Sequence, residues 1–385
     1  MQLADITVEV RDKGLNRIGL IRPEEMDIDI RGEHNNVGSW TIKLAAEHRL
    51  TPVLRTPGSG IIVLGPSDVL LSGPCTGPTY EASTDDPYGT VTFEGVGDSI
   101  VLADMLSFPD PTNVNPTTQT LSHDVRTGTV ESIMHGFVNA NCGPAAPAAR
   151  RKANLIMGTN GNRGPVTTKS ARFPVLGNLL SDLAASAGLG FRVVQRDDKL
   201  VFETYAVTDR SAYIRLDVWN GTLSNQKLAI TPPGATQVIV AGQGEMVDRQ
   251  FYAATSADAQ AAETLWGRRI ERFVDQRQTD DSDEHIQKAN EVLAKEGFTG
   301  VTVQATPTDD STMRYGIDWS LGDTVTVVVD GDEEQSTVTG FILKASSEGV
   351  RLGAVLGDIT NLDRNASIEK RLKDVETRLA ALEAR

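Results

Sequence analysis

The sequence is poor in cysteine, in aromatic residues and in long apolar runs, and these shortages exclude several classes of protein. Only Cys75 and Cys142 occur among 385 residues, so a disulfide framework is unsupported and synthesis in a reducing compartment is expected. No run approaches the roughly 18 consecutive apolar residues of a transmembrane helix. The first residues carry Asp5 and Glu9 in a strand pattern, without the basic and apolar regions of a signal peptide. We therefore expect no membrane insertion.

Basic residues are also scarce. Asp and Glu number 52 against 37 Lys and Arg, which gives a formal net charge of −15. Proteins that bind nucleic acid concentrate positive charge, because this charge displaces counterions from the phosphates. A chain with the opposite balance repels DNA and anionic membranes. The sequence therefore predicts no specific nucleic-acid binding, and the one basic cluster, at 150–152, is expected to be a solvated linker.

Catalytic and metal-binding motifs are missing as well. No Gly-x-Ser-x-Gly, His-Glu-x-x-His or P-loop pattern occurs. The glycine-rich segment 158–164 has no apolar strand leading into it, so we interpret it as a loop and not as a phosphate cradle. The acidic residues around Asp330 lack the spacing of a helix-loop-helix calcium site and lie at a predicted hairpin tip. The histidines stand singly, without partners at metal-ligand spacing: His34, His48, His123, His135 and His285.

We therefore predict no catalytic, cofactor-binding or metal-binding residues, no cofactor and no enzymatic activity. One alternative stays open at this point, since a glycosidase needs two carboxylates that come together from distant positions. The sequence offers 52 acidic residues for such a pair, and no specific pair stands out.

The sequence does contain many short apolar–polar alternations, which are typical of half-buried β-strands. They fill residues 3–105 and return after 211. Turn signals predict hairpins at 60–73 and at 323–340, the second around Asp330-Gly331. Helical spacing predicts helices at 130–140, 174–188 and 256–297, and a further hairpin is predicted at 191–202.

These elements predict a mainly β fold with α+β insertions, built from two tube-like antiparallel β-barrels per chain and a C-terminal trimeric coiled coil. The expected domains are a barrel at 1–105, an α+β insertion at 106–210, a discontinuous second barrel at 211–255 with 301–357, a helical insertion at 256–300, and a linker with the coil at 358–385.

The coil is predicted because apolar residues after Ser367 are spaced alternately four and three apart. Every e position is Glu and every g position is Arg. Leu at a with β-branched residues at two of the three d positions favours a trimer or tetramer over a dimer, and two segments resemble the Arg-x-x-x-x-Glu signature of trimeric coiled coils, so we predict a parallel trimer. The seam is only ~15 residues long, or about 22 Å, so a larger interface must hold the chains together. An amphipathic helix that packs back on its own chain is the alternative. The predicted trimerisation residues are Ile368, Arg371, Leu372, Val375, Glu376, Arg378, Leu379, Leu382 and Glu383.

Three segments resemble the hub proteins of long-tailed bacteriophages, in particular the siphophage baseplate-hub family of actinobacterial phages. They are the Trp-Thr-Ile-Lys-Leu strand at 40–44, the hairpin that ends at Ser72-Gly73, and 315–325 with its Leu-Gly-Asp turn. The resemblance covers most of the chain. It implies a trimer at the tail tip, in which each chain lends two tube-like barrels to a ring that continues the hexameric tail tube.

Together these patterns predict a structural baseplate hub, a trimeric adaptor that joins the six-fold tail tube to a three-fold tip or central fibre and leaves a channel for DNA. The expected partners are further copies of the chain, a distal tail or tail tube protein, and a central fibre or tip protein, with a tape measure protein as a further candidate. The expected location is the virion tail tip, after assembly in the host cytoplasm. The alternative function is a trimeric cell-surface carbohydrate hydrolase or binding protein on a coiled-coil stalk.

Overall fold

A computed structural model of the chain describes residues 5–22, 25, 27–66, 68–84, 87–219, 221–277, 282–307, 314–329, 331–347 and 349–356. Within these residues the fold is mainly β, with 21 strands and six α-helices. The elements fall into one large sheet and two smaller α+β units.

The elements follow one another in three groups. The N-terminal group is β1 (Thr7–Arg11), β2 (Arg17–Ile21), β3 (Asp27–Glu33), β4 (Ser39–Ala45), α1 (Thr51–Leu54), β5 (Gly60–Leu64), β6 (Val69–Glu81), β7 (Thr90–Val96) and α2 (Ile100–Ala103). The middle group is β8 (Asp124–Thr129), α3 (Val130–Asn141), β9 (Leu155–Met157), β10 (Val166–Ala171), α4 (Leu176–Ser186), β11 (Leu189–Arg196) and β12 (Lys199–Ala206). The late group is β13 (Arg215–Leu216), β14 (Leu223–Thr231), β15 (Gln237–Ala241), a 3-10 turn (Met246–Asp248), β16 (Phe251–Ala254), α5 (Ala257–Trp266), β17 (Glu271–Asp275), α6 (Ser282–Glu296), β18 (Gly300–Pro307), β19 (Thr324–Val329), β20 (Asp332–Ser346) and β21 (Gly349–Leu356).

Strands from both ends of the chain form one 13-stranded sheet. Its order is β14-β18-β21-β20-β3-β4-β7-β6-β5-β1-β2, and β19 joins it by pairing with β20 and with β13. The antiparallel pairing of β20 with β3 runs from Gly340↔Glu33 to Ser346↔Asp27. This pairing joins the late strands to the N-terminal strands, so the large sheet belongs to neither group alone.

The large sheet curls into a half-barrel around one core. Its buried cluster includes Val8 of β1, Trp40 of β4, Phe93 of β7, Val325 of β19 and Leu356 of β21. In a flat sheet, β1 and β21 would be roughly 34 Å apart, because seven strand spacings separate them. Curling brings the inner faces of distant strands together, so that the sheet buries its own apolar side.

Glycine faces an aromatic ring at two cross-strand pairs of this sheet. Gly95 of β7 is opposite Trp40 of β4, and a Cβ at Gly95 would come within 2.1 Å of the indole ring. Gly32 of β3 is opposite Phe341 of β20, and a Cβ there would also come within 2.1 Å of the ring. Glycine in a strand interior marks such a close approach. The second pair lies at the β3–β20 junction and helps to hold the two ends of the chain together.

Residues 124–206 form an α+β unit with its own core. The strands β11, β12 and β9 make a three-stranded sheet, β8 pairs with β10, and α3 and α4 pack with them. Thr129 caps α3 by accepting a hydrogen bond from Ser132 N, and Gly188 follows α4 with a φ of +59°. The helices and the hairpin predicted in this region are confirmed within a few residues at each end.

Residues 232–299 form a second α+β unit, and the domain bounds predicted from the sequence differ from it. Here β15 pairs with β16 and, in parallel, with β17, and α5 and α6 contribute to the core. The prediction gave β15 to the second barrel and treated 256–297 as helical throughout. In the structure, residues 237–254 belong to the insertion, and the strand β17 follows α5. Parallel strands need a crossover connection, and α5 forms part of the crossover between β15 and β17.

The mainly β class with α+β insertions is confirmed. The division into two tube-like barrels stays a prediction, since the structure joins both strand groups in one sheet. The predicted linker and coil at 358–385 lie outside the described residues.

Candidate assembly surface

The outer face of the large sheet carries rows of polar side chains that cross the strands. One row runs through Lys344 on β20, Asp29 on β3, Thr41 on β4 and Glu94 on β7, which are register partners. The Nζ atom of Lys344 lies 2.9 Å from Oδ2 of Asp29. Alternate residues such as Ile42 point into the core. The outer face is therefore a hydrated wall of mixed charge, and the inner face is apolar.

Within the described residues, the main strand order of the large sheet ends in two edge strands, and the short strand β13 ends the side branch through β19. At one end, β2 pairs only with β1, and the side chains of Ile18 and Leu20 are each 47% exposed. At the other end, β14 pairs only with β18. Open edges present N–H and C=O groups that can pair with another chain. The sheet thus offers two different edges for assembly.

A buried ion pair fixes the 124–206 unit to the large sheet. Arg11 of β1 donates to both carboxylate oxygens of Asp98, at 2.6 and 2.8 Å, and to Oε1 of Gln195 on β11 at 2.7 Å. The hydroxyl of Ser72 donates to Asp98 Oδ2 at 2.7 Å and accepts from Gln195 N at 2.7 Å. All four side chains are buried. The network connects four segments that are distant in sequence: β1, β6, the residues after β7, and β11.

A second polar junction lies beside the β11–β12 hairpin. Asp68, in the turn between β5 and β6, accepts hydrogen bonds from Arg192 at 2.6 Å and from Arg196 at 2.9 Å. Glu203 of β12 pairs with the same two arginines. Partial burial raises the pKa of Asp68, but the hydrogen bonds from Arg196 and Arg192 outweigh it and lower this pKa to about 2. The carboxylate is therefore charged at neutral pH and holds the hairpin against the sheet.

The turn between β3 and β4 makes the third junction with this unit. Asn35 donates to Leu189 O at 3.1 Å and accepts from Phe191 N at 2.8 Å. The Nδ1 atom of His34 lies 3.0 Å from the hydroxyl of Tyr205. Burial lowers the pKa of His34 to about 4, so the ring is neutral at pH 7 and its role is packing.

The glycine-rich loop 158–164 holds a buried carboxylate at the start of α3. Glu131 accepts hydrogen bonds from Arg163 at 2.6 and 3.0 Å and from the hydroxyl of Thr204 at 2.6 Å. Its side chain is fully buried. Burial raises the pKa of Glu131, but the hydrogen bonds from Arg163 and Thr204 outweigh it and hold this pKa well below its usual range. The segment is a structural loop, as predicted, but the apolar strand β9 leads directly into it, contrary to the expectation from the sequence.

Replacing Glu131 with Gln is expected to lower the free energy of unfolding by about 2 kcal/mol at pH 7, because charge-assisted hydrogen bonds are lost. Since the folded-state pKa is lowered, this stabilisation is fully present above the ordinary pKa of 4.5 and is lost as the pH falls below it. Urea unfolding of both proteins between about pH 3 and pH 7 measures the difference. The exposed Glu47 provides the matched control, Glu47→Gln. A difference that widens toward acid would contradict the assignment.

The basic cluster at 150–152 is predicted to be a solvated linker, and for Arg150 this is wrong, whereas Arg151 and Lys152 are exposed. The guanidinium of Arg150 lies 3.4 Å from the ring centroid of Phe108, and it donates to Leu106 O at 2.5 Å. Arg151 donates to Ala146 O at 2.8 Å. Both side chains therefore fix the loop after α3. No local pattern predicts the contact of Arg150 with Phe108, because Phe108 lies in a proline-rich segment some 40 residues earlier.

The predicted trimerisation residues lie outside the described part of the chain, so their role stays a prediction. They are Ile368, Arg371, Leu372, Val375, Glu376, Arg378, Leu379, Leu382 and Glu383. Among the described residues, no three His, Cys, Asp or Glu side chains lie close enough together to hold a metal ion. In the same residues, no helix has both the length and the apolar composition of a membrane span. Both cysteines are free, and burial raises the pKa of the Cys142 thiol to about 12.

Three solved tail proteins share this fold over nearly the whole chain. The 43 kDa tail protein of prophage MuSo2 from Shewanella oneidensis is 13% identical, with a TM-score of 0.57, and the match covers 94% of this chain and 98% of that chain. The tail protein from Neisseria meningitidis MC58 is 16% identical, with a TM-score of 0.54 and coverages of 92% and 97%. The prophage tail protein gp18 from Listeria monocytogenes EGD-e is 11% identical, with a TM-score of 0.53 and coverages of 96% and 99%. At these identities the likeness shows the fold alone. No curated protein was found to match the sequence.

A family model described as Siphovirus ReqiPepy6 Gp37-like protein matches residues 7–358. This range contains every described strand from β1 to β21. The family match identifies a structural component of the phage tail and not an enzyme, as predicted. The resemblance to siphophage tail proteins is thereby confirmed, and the chain belongs to the Siphovirus ReqiPepy6 Gp37-like protein family.

Proposed function

We propose that this tail protein is a baseplate hub, a trimeric adaptor between the six-fold tail tube and a three-fold tip or central fibre. The observation that carries the proposal is the curled 13-stranded sheet, which unites an N-terminal and a late group of strands and leaves a different edge open at each end. A protein with two unlike edges associates head to tail, and such contacts close into a ring when the rotation permits it.

The two strand groups explain how three chains meet a six-fold partner. In the large sheet, strands β1–β7 come from the N-terminal group, and β13, β14 and β18–β21 come from the late group. If each group presents one docking face, three chains present six faces to the tube. A chain with a single face would leave half of the contacts of the tube unmade.

The outer wall of the sheet suits the lining of a DNA channel. The row through Lys344, Asp29, Thr41 and Glu94 is hydrated and of mixed charge. The whole chain carries a net charge of −15, so the assembled ring repels the phosphate backbone instead of holding it. DNA would pass such a wall without being retained.

The proposed partners follow from this position in the tail. A distal tail or tail tube protein contacts the ring from one side, and a central fibre or tip protein follows the coil on the other. A tape measure protein that ends in the channel is a further candidate. The protein would assemble in the host cytoplasm and lie at the tail tip of the virion.

We expect the full-length protein to be a trimer in solution and a chain that ends at residue 357 to assemble more weakly without unfolding. The second part follows because the last described strand ends at Leu356. Replacing Leu372 with Asp, at an a position, is expected to weaken the trimer at least tenfold, because a charge enters the apolar seam. Replacing Lys373 with Asp, at the outward b position, is the matched control.

Native mass spectrometry at about micromolar concentration measures the assembly, and circular dichroism measures the fold. A monomeric or dimeric full-length protein would contradict the proposal. Antibodies against the chain are further expected to label one end of the tail of intact virions, and label spread along the tail would contradict a hub.

A further inference from the structure

The turn between β15 and β16, residues 244–249, presents two apolar side chains to solvent. Met246 is 91% exposed and Val247 is 95% exposed. Met246 has a φ of +51°, in the left-handed region that L-residues other than glycine rarely adopt. A strained methionine whose side chain makes almost no contact gains nothing within the chain itself. Strain of this kind points to a contact made elsewhere.

Contacts of Arg249 and a backbone hydrogen bond hold the 244–249 turn in its conformation. Arg249 donates to Gly242 O at 3.0 Å and to Ala241 O at 3.2 Å, and its guanidinium lies 5.9 Å from the ring centroids of Phe251 and Phe273. At the tip, Asp248 N donates to Glu245 O at 3.0 Å. The apolar pair is therefore presented in a fixed conformation, which reduces the entropy lost on binding.

A cleft with a largely apolar surface lies between α6 and the elements β10 and α4, where the 232–299 unit meets the 124–206 unit. This α6 cleft has a volume of about 510 Å³. Ile286, which is 48% exposed, lies on one wall. The apolar lining residues are Val130, Pro165, Leu183, Ile286 and Ala294. The largely apolar surface of the cleft therefore suits the apolar side chains of Met246 and Val247.

The charges around the two features are complementary in sum. The cleft is lined by Lys169 and by the carboxylates of Asp182 and Glu291, and Lys288 and Lys295 pair with these two carboxylates, so three lysines stand against two acids. Met246 and Val247 stand between the exposed acids Glu245 and Asp248. On α6, the side chain of Lys288 is 39% exposed and that of its partner Glu291 is 17% exposed, so the lysine is the more accessible member of this pair. Lys295 is likewise more exposed than its partner Asp182. These lysines lie beside the cleft and can pair with the acids of the turn.

We propose that the 244–249 turn of one copy inserts Met246 and Val247 into the α6 cleft of the next copy. The chain does not fill its own cleft, because both side chains are almost fully exposed. A turn and a cleft at different places on one chain make a head-to-tail contact, which is the type that closes a ring. The inference rests on the proposed trimer and names an interface within it, separate from the coil and from the edges of the large sheet.

Disulfide trapping tests this contact. Val247→Cys and Ile286→Cys are combined with Cys75→Ser, and the buried Cys142 is retained because its raised pKa keeps it a thiol. A disulfide needs Cβ atoms about 4 Å apart, so mild oxidation is expected to link copies into a ladder that ends at the trimer. The matched control pairs Val247→Cys with Leu265→Cys, an exposed site on α5, and is expected to link poorly.

A second variant measures the contact without cysteine. Replacing Met246 and Val247 together with Ser is expected to raise the dissociation constant of the trimer at least tenfold while the circular dichroism spectrum stays unchanged. A trimer that cross-links no better than the control, or that tolerates both serines, would overturn the inference and leave the proposed hub standing. A monomeric full-length protein would overturn both.

Discussion

Replacing Asp98 with Asn is expected to lower the free energy of unfolding by about 3–5 kcal/mol, the cost of leaving a buried charge without its partner. Arg11 is 2% exposed and donates to both oxygens of the carboxylate. Asn cannot neutralise the guanidinium, and its amide group has one oxygen fewer to accept these hydrogen bonds. The change would also loosen Ser72 and Gln195, which belong to the same network.

The control for this prediction is a pair at the surface. Asp198 pairs with Lys199, and their side chains are 68% and 40% exposed. Asp198→Asn is therefore expected to cost less than about 1 kcal/mol. Urea unfolding of the three proteins gives both values. If Asp98→Asn costs no more than Asp198→Asn, the buried network does not stabilise the junction between the sheet and the 124–206 unit.

Replacing Phe341 with Ala is expected to lower the free energy of unfolding by about 3–5 kcal/mol, because the change creates a cavity. The ring is fully buried, faces Gly32 across the β3–β20 pair, and lies 4.6 Å from the ring centroid of Tyr315. Because Gly32 has no side chain, nothing on β3 can fill the space that the ring leaves. The loss falls on the junction between the two strand groups, so we expect unfolding to become less cooperative as well.

Phe273→Ala is the matched control, since this ring is 57% exposed on β17. It is expected to change stability by only about 0.5 kcal/mol. Unfolding is followed by both circular dichroism and tryptophan fluorescence. The transitions give the stability, and whether the two probes coincide shows the cooperativity. Equal costs for the two phenylalanines would show that the junction is not a centre of stability.

The local elements of this fold follow from the sequence because their signals are local. The alternation of Ile28 and Ile30 with polar residues predicts β3, and the same period predicts β4. Helical spacing after Val175 with Gly188 beyond it predicts α4 and its end. Each of these signals lies within a dozen residues, so no knowledge of the rest of the chain is needed.

The pairing of distant elements does not follow from the sequence. The apolar run Val238-Ile239-Val240 indicates a strand, but the same run suits any sheet, and its partner β17 has a mostly exposed pattern that resembles a charged helix. The β3–β20 pairing also has no local marker, because Gly32 and Phe341 are individually unremarkable. Register between remote strands depends on the whole core and not on the strands themselves.

The junction residues were missed for a related reason. Arg11, Asp98 and Gln195 are separated by 87 and 97 residues in sequence, and each has the ordinary composition of a surface site until the fold buries it. The coil shows the opposite case. Its heptad pattern is strong and local, so the sequence alone makes a specific prediction of trimerisation. Because the coil lies outside the described residues, an experiment must test this prediction.

The β3–β20 pairing also determines when the chain can complete its fold. Residues 27–33 must wait for 340–346, which are roughly 300 residues later. At about 5–20 residues per second, the ribosome needs about 15–60 s to supply the missing strand. During that time the edge of β3 has no partner, and contacts between such remote segments form slowly. We therefore expect that closure of the sheet, and with it entry into a growing tail, follows release from the ribosome, so that only finished chains are built into the particle.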